Sequence, residues 1–327
     1  MAAKTKKMKK QIQKILLFVS IVMLTSCISP PPVVSIPTVT TASTSVITST
    51  SAVSGGNVTS TGELYLDSRG VVWSTSTNPT VALSTKTTDG TASGIFASTI
   101  TGLVANTTYY VRAYATNSIG TAYGNEESFT TSAYLDNDGN TLATVVIGTQ
   151  EWMQKNLDET KYRNGDVIPQ VTDPTAWAGL TTGAWCYYAN NTANGTVYGK
   201  LYNWYAVTDP RGLAPIGWHV PNNNEWTTLT DYLGGTTVAG GKIKSTLIWN
   251  SPNIGATNSS GFTALPGGNR YYDGVFNNIG YDGYWWSATE VTGTSNAWIL
   301  SIDYNYAYTN SYSNFKADGI SVRCVKD

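Results

Sequence analysis

Histidine occurs once in the chain, cysteine three times, and charged residues make up only 13% of it. One histidine leaves no set from which a multi-histidine metal site could be drawn, and there is no Gly-x-Ser-x-Gly, His-Glu-x-x-His or phosphate-loop motif. No metal and no cofactor is therefore expected. Basic residues are scarce once the first 26 positions are set aside. Those carry six lysines and no acid, leaving 14 Lys plus Arg against 21 Asp plus Glu. With no Lys or Arg cluster in that remainder, the sequence argues against nucleic acid, whose binding is driven by phosphate neutralisation. Long apolar runs are also missing, since Ile15 to Leu24 is too short to span a bilayer comfortably and no later run could cross one.

The beginning of the chain is informative. Lys4, Lys6, Lys7, Lys9, Lys10 and Lys14 form a basic region, the apolar stretch follows, and Leu24-Thr25-Ser26-Cys27 comes next. Residues 1–26 read as a secretion signal. The tetrapeptide resembles the bacterial lipobox, which implies a lipid-bearing Cys27 at the mature N-terminus. On that resemblance the protein is exported and anchored in the outer membrane of a Gram-negative bacterium, touching the membrane through its lipid alone, with both a periplasmic and a surface-exposed placement left open. Setting Cys27 aside leaves Cys186 and Cys324, and an even remainder in an exported protein predicts a disulfide between them.

Residues 27–37 form a proline-rich tether, extended rather than helical. Residues 38–132 are rich in Thr, Ser, Val and Gly, with short alternating runs that predict an all-β sandwich. In Leu103 to Asn117, Val111, Ala113 and Ala115 face one way and Arg112, Tyr114 and Thr116 the other, the period of a half-buried strand. Leu103, Tyr109, Val111 and Ala113 resemble the signature of fibronectin type III domains, with Tyr109 in the tyrosine-corner position. Ala105 stands where that family usually has proline, and Trp73 takes the volume of its missing early tryptophan. Glu127 to Thr131 is expected to be the last strand, and no site is assigned to this domain.

Composition shifts at residue 133. All but one of the 11 tryptophans lie beyond it, so residues 133–327 carry the larger aromatic payload to bury. Asp136, Asp138, Gly139 and Asn140 resemble the start of a calcium loop but lack the glycine and glutamate spacing of an EF-hand, so a turn is expected. Thr141 to Trp152 predicts a hairpin. The clearest helix starts after Asn222, with Glu225 completing a capping box, Trp226, Leu229 and Leu233 on one face, and Gly234 and Gly235 ending it. His219, just ahead, is expected to be packed and hydrogen-bonded.

In order along the chain, "WMQKNL", "GKLYNWYAV", "APIGWHVPNNNEW", "SGFTALPGGNR", "YWWSATE" and "GISVRCVKD" resemble the Fibrobacter succinogenes major paralogous domain. The resemblance covers residues 135–327 and implies an α+β, C-type lectin-like fold in a Bacteroidetes-type cell envelope. It carries no catalytic residues. The Glu-Pro-Asn or Gln-Pro-Asp triplet of calcium-dependent lectins is absent, which disfavours a calcium-dependent sugar site.

From Trp298 the even positions read Trp, Leu, Ile, Tyr, Tyr, Tyr and predict one strand emerging from the core into a wet, tyrosine-lined face. Nearby, Tyr281, Tyr284, Trp285, Tyr304, Asn305, Tyr306, Tyr308, Asn310, Tyr312 and Asn314 use the alphabet of adaptable binding surfaces, rigid rings with hydrogen-bonding amides. They are the candidate contacts to a glycan or protein ligand at the cell surface. Three alternatives stay open: the tyrosines as the rim of the core, the protein as a structural or assembly subunit, and a glycosidase using two of Asp273, Asp282, Glu290 and Asp303. Residues 303–314 also match the residue set of lectin-like proteins diversified by retroelements, which implies that close relatives differ mainly there.

Overall fold

The computed structural model describes residues 33–327 together with Lys6, Met8 and Lys9. Cys27 and nearly all of the expected signal peptide lie outside the described residues. The chain divides into two compact units, residues 1–132 and 133–327.

The first unit is a β-sandwich. One antiparallel sheet has the order β1 (Thr38–Thr41), β2 (Ser51–Ser60), β4 (Gly94–Thr101); the other joins β3 (Leu66–Ser74), β5 (Thr108–Asn117) and β6 (Gly120–Tyr123), with β7 (Glu127–Thr130) also on β5. Their inner faces share one core, in which Val71, Val111 and Ala113 meet Phe96 and Ile100, and Trp73 is part of it. The Tyr109 hydroxyl accepts from the Val104 N–H at 3.1 Å, and its ring stacks on Phe129. That bond pins the loop entering β5 to the strand. Tyr114 departs from the expected alternation: it is buried, and its hydroxyl donates to the Thr87 carbonyl at 2.7 Å because the segment before β4 covers that end of the sheet.

The second unit is built from small antiparallel sheets and short helices. A hairpin of β8 (Thr144–Ile147) and β9 (Gln150–Met153) opens it. Three short helices follow, α1 (Pro174–Ala178), α2 (Thr192–Tyr198) and α3 (Trp204–Val207), among the two-residue strands β10 (Trp185–Cys186), β11 (Leu201–Tyr202) and β12 (Trp218–His219). Helix α4 (Asn223–Tyr232) has both halves of the capping box in place and buries Trp226 and Leu229. Helix α5 (Thr236–Ile243) follows directly. After β13 (Asn269–Arg270) and β14 (Phe276–Asn277) come β15 (Asp282–Glu290), β16 (Asn296–Asp303) and β17 (Thr309–Phe315), and finally β18 (Val325–Lys326). The last strand sits between β12 and β9, so the end of the unit is sewn into its opening hairpin.

The sheet β15-β16-β17 has a core on each face. Trp286, Ala297 and Ile299 pack into one cluster, while Trp285, Leu300 and Ile302 pack into the other. Burial on both sides explains why residues 299–302 are all buried, whereas Trp298, expected in the core, is partly exposed at the start of the strand.

Four cations sit inside this unit, held mainly by carbonyl oxygens and aromatic rings. The fully buried Arg323 donates to the carbonyls of Met153 at 2.9 Å and Phe262 at 2.6 Å and to Asn156 Oδ1 at 2.8 Å, with its guanidinium 4.4 Å from the centre of the Phe262 ring. Burial lowers its pKa to about 9. The same Asn156 Oδ1 accepts from the Trp285 indole N–H at 2.8 Å. Arg270 donates to the carbonyls of Val171, Thr172 and Gly274 and lies against Trp177 and Phe276. Lys200 reaches the Asp158 carbonyl and carboxylate and lies over Trp185. Lys244 is the fourth. Irregular loops leave main-chain carbonyls without ladder partners, and a buried cation satisfies several at once.

The expected disulfide is absent. Cys186 and Cys324 are both buried free thiols, and they belong to separate clusters, Cys186 with Trp177, Ala184 and Leu201, and Cys324 with residues such as Trp218 and Val322. Burial pushes the Cys186 thiol up to about 12 and raises that of Cys324 further, so both behave as small core hydrophobes.

Candidate functional site

The tyrosine run is not one strand. Strand β16 ends at Asp303, the chain turns through Tyr304 to Tyr308, and β17 returns from Thr309. Asp303 Oδ1 accepts from the Asn305 N–H at 2.5 Å, a short side-chain turn that breaks the period of two. The rings that sequence spacing places on one strand face are therefore displayed around a hairpin end.

Three main-chain bonds and one buried ammonium fix this hairpin end. Tyr304 N–H donates to the Tyr281 carbonyl at 2.9 Å, and Ile254 N–H donates to the Tyr304 carbonyl at 2.8 Å. At the end of α5, Gly241 N–H donates to the Ala307 carbonyl at 2.9 Å. The fully buried Lys244 completes the clamp: its Nζ donates to the carbonyls of Ile254 at 2.8 Å, Asp303 at 3.1 Å and Tyr306 at 2.8 Å. Burial pulls the Lys244 pKa down to about 8, and the nearby Asp303 works against that. Close approach needs the glycine pair: a Cβ on Gly240 would lie 2.3 Å from the Tyr308 carbonyl oxygen.

On this frame the aromatic rings pair. Tyr281 and Tyr304 meet edge to face at 5.1 Å, and Tyr306 stacks on Tyr308 at 4.6 Å. Tyr281 and Tyr306 are each about half exposed, at 47% and 48%, and Tyr304 leans on the core. Asn305 is partly exposed beside them and Ile254 is exposed. A second group lies along the sheet. Tyr312 is exposed, Asn310 is exposed, and Asn314 is partly so. Tyr284 is buried, donating from its hydroxyl to Asp282 Oδ2 at 2.7 Å and accepting from Asn278 Nδ2 at 3.0 Å. Trp285, expected on the exposed surface, is fully buried, because β15 presents it to the core on the opposite face from Tyr284.

Asp282 and Asp303 are cross-strand partners. Burial raises the Asp282 pKa, the Tyr284 hydroxyl opposes this, and Asp303 adds to the rise. Of the other two acids singled out from the sequence, Glu290 pairs with Lys316 at 2.9 Å and Asp273 Oδ1 accepts from the Val275 N–H. The Asp136 to Asn140 segment is a turn closed on itself, with Asp136 Oδ1 accepting from Asp138 and Asn140 N–H groups and Asp138 engaged by Thr160. Among the described residues, no group of three or more His, Cys, Asp or Glu side chains is placed to hold a metal ion.

His219 joins the end of the chain to α4. Its Nδ1 lies 2.7 Å from Asp327 Oδ1 and its Nε2 2.7 Å from Glu225 Oε1. Burial alone would lower its pKa, but the two carboxylates outweigh that and raise it above 6.5. A raised folded-state pKa stabilises the fold fully below the unfolded value and loses that contribution as pH rises through the folded value. The native chain should therefore exceed a His219→Gln variant in melting temperature at about pH 6, with the gap closing by about pH 9. Equal gaps across that range would mean that the imidazolium contributes nothing.

Sequence reasoning found the tyrosines and missed what holds them. Lys244, Gly240 and Gly241 carry one faint signal, a lysine set behind paired glycines in "AGGKIK".

The family described as the Fibrobacter succinogenes major domain matches residues 145–326. Similar solved structures include the sensor domain of the anti-sigma factor RsgI4 in Pseudobacteroides cellulosolvens, with 21% identity over 32% of this chain and 100% of that chain and a TM-score of 0.24. They also include a fibronectin type III domain derived from the human KIAA0970 protein, with 18% identity over 29% of this chain and 72% of that chain and a TM-score of 0.22. No curated protein matches the chain.

Proposed function

We propose, from the premise that this chain belongs to the Fibrobacter succinogenes major domain family, that it is a non-catalytic extracellular binding module. Its recognition surface is the hairpin end carrying Tyr281, Tyr304, Asn305, Tyr306 and Tyr308, and its ligand is a cell-surface glycan or protein. One observation carries this reading: the exposed Tyr306 and the partly exposed Tyr304 and Tyr308 stand on a turn whose backbone is fixed by Lys244 and α5. Rings presented on a fixed backbone give contact area with little ordering cost on binding. The second unit is read as lectin-like, and the sandwich as a spacer. With Cys27 lipidated, the spacer would hold the binding unit away from the outer membrane.

The direct test compares the full chain with a Tyr306→Ala/Tyr308→Ala variant on arrays of glycans and of cell-surface proteins. Binding that falls about tenfold or more in a variant melting like the native chain supports the surface; unchanged binding removes it.

A second reading has its own observation. Strand β17 is a sheet edge, paired with β16 alone among the described residues, in unbroken register and with no charge or proline from Thr309 to Phe315. Such an edge is an available template for another strand. A structural or assembly subunit would bury it between chains, and concentration-dependent association in sedimentation would favour that reading.

A further inference from the structure

A groove runs between α4 and β17, at the opposite end of Thr309 from the tyrosine turn. Its cavity is about 140 Å³, and the buried Trp226 and Leu300 are among its lining residues. Eight polar residues line it, and the hydroxyls of Thr227, Thr230 and Thr309 are spent on main-chain carbonyls, which leaves Asn223, Asp231, Thr236, Asn310 and Ser311. Among the described residues, none of these five side chains makes a hydrogen bond within the protein. The Trp226 indole N–H is buried and has no partner. A buried orphan donor is uncommon and costly in a folded protein, and here it belongs to a side chain lining an otherwise unused polar cavity.

We propose that this groove binds a single neutral pyranose ring, a terminal or branch sugar of a glycan. The assignment rests on the reading of the second unit as a binding module and names the ligand class. Sugar hydroxyls both donate and accept. The groove offers an acceptor-only carboxylate in Asp231, two amides in Asn223 and Asn310, and two hydroxyls in Thr236 and Ser311. Asp231 is the only formally charged residue lining it, which works against uronates, sialic acids and sulfated sugars. Its volume lies below the roughly 300–1,000 Å³ of pockets for drug-sized ligands, so it holds one ring. The remainder of a longer glycan would lie along the open edge of β17, where main-chain groups are available.

The test uses the full chain in detergent, an array of neutral and acidic glycans, and calorimetric titration with the methyl glycosides of glucose, galactose and mannose. Asp231→Ala and Asn310→Ala alter exposed side chains and should leave the melting temperature unchanged; each should weaken neutral-sugar binding about tenfold. Asn310→Trp, which fills the groove, should abolish it. Neutral-sugar binding that survives all three variants but is lost in Tyr306→Ala/Tyr308→Ala overturns the groove and leaves the recognition surface standing. Preference for acidic glycans, or no neutral-sugar binding by the unaltered chain, overturns the pyranose assignment.

Discussion

Replacing Arg323 by methionine should remove about 3–5 kcal/mol from the second unit while leaving the first unit's transition in place. The side chain is fully buried, and its loss strands the carbonyls of Met153 and Phe262 and removes two of the three hydrogen bonds to Asn156 Oδ1. Each stranded group costs on the order of 1–3 kcal/mol, because no water replaces the lost donor. Methionine fills much of the volume, so the loss reports hydrogen bonding rather than a cavity. Urea denaturation followed separately by tryptophan fluorescence, dominated by the second unit, and by far-ultraviolet circular dichroism would resolve the two transitions. Arg323→Lys should recover only part of the loss, since one ammonium lacks the planar fork that reaches two loops and a side chain together. A methionine variant as stable as the native chain would mean that these carbonyls find other donors.

Lys244→Met should have the second-largest effect, and of a different kind. Lys244 is itself buried, but of the carbonyls that its loss frees those of Ile254 and Tyr306 belong to exposed residues, which water can reach, limiting the cost to about 2–3 kcal/mol. The hairpin end should loosen instead. Amide exchange of residues 303–308 should speed up markedly in the variant while the β15-β16 ladder stays protected, because local openings draw on the weakest part of a structure. Ligand binding through the tyrosines should weaken even where the unit remains folded. Unchanged exchange at residues 303–308 would show that the α5 contact and the Tyr281 bond hold the turn unaided.

The contrast between those two lysine and arginine sites and the sequence marks where sequence reading stops. The capping box of α4, the Tyr109 bond and the opening hairpin were legible because each depends on residues a few positions apart. The tyrosine face was legible in composition, yet its geometry was not: a period of two continues on paper through Asp303 and Asn305, and only their turn shows where the strand ends. Trp285 was misplaced for a related reason. Alternation separates core from solvent only when one face of a sheet is wet, and β15 is covered on both. The buried cations left almost no trace, since their partners are main-chain carbonyls that every residue possesses. The paired thiols went wrong from counting alone, which takes no account of the separate clusters into which the fold sorts them.

The position of β18 has a consequence for timing. It lies between β12 and β9, and Arg323 just before it bonds Met153, 170 residues earlier. A ribosome must pass residue 326 before the second unit has its closing strand or its buried guanidinium. Long-range closure of this kind is slow, so the second unit stays open while the residues between β9 and β18 are being made.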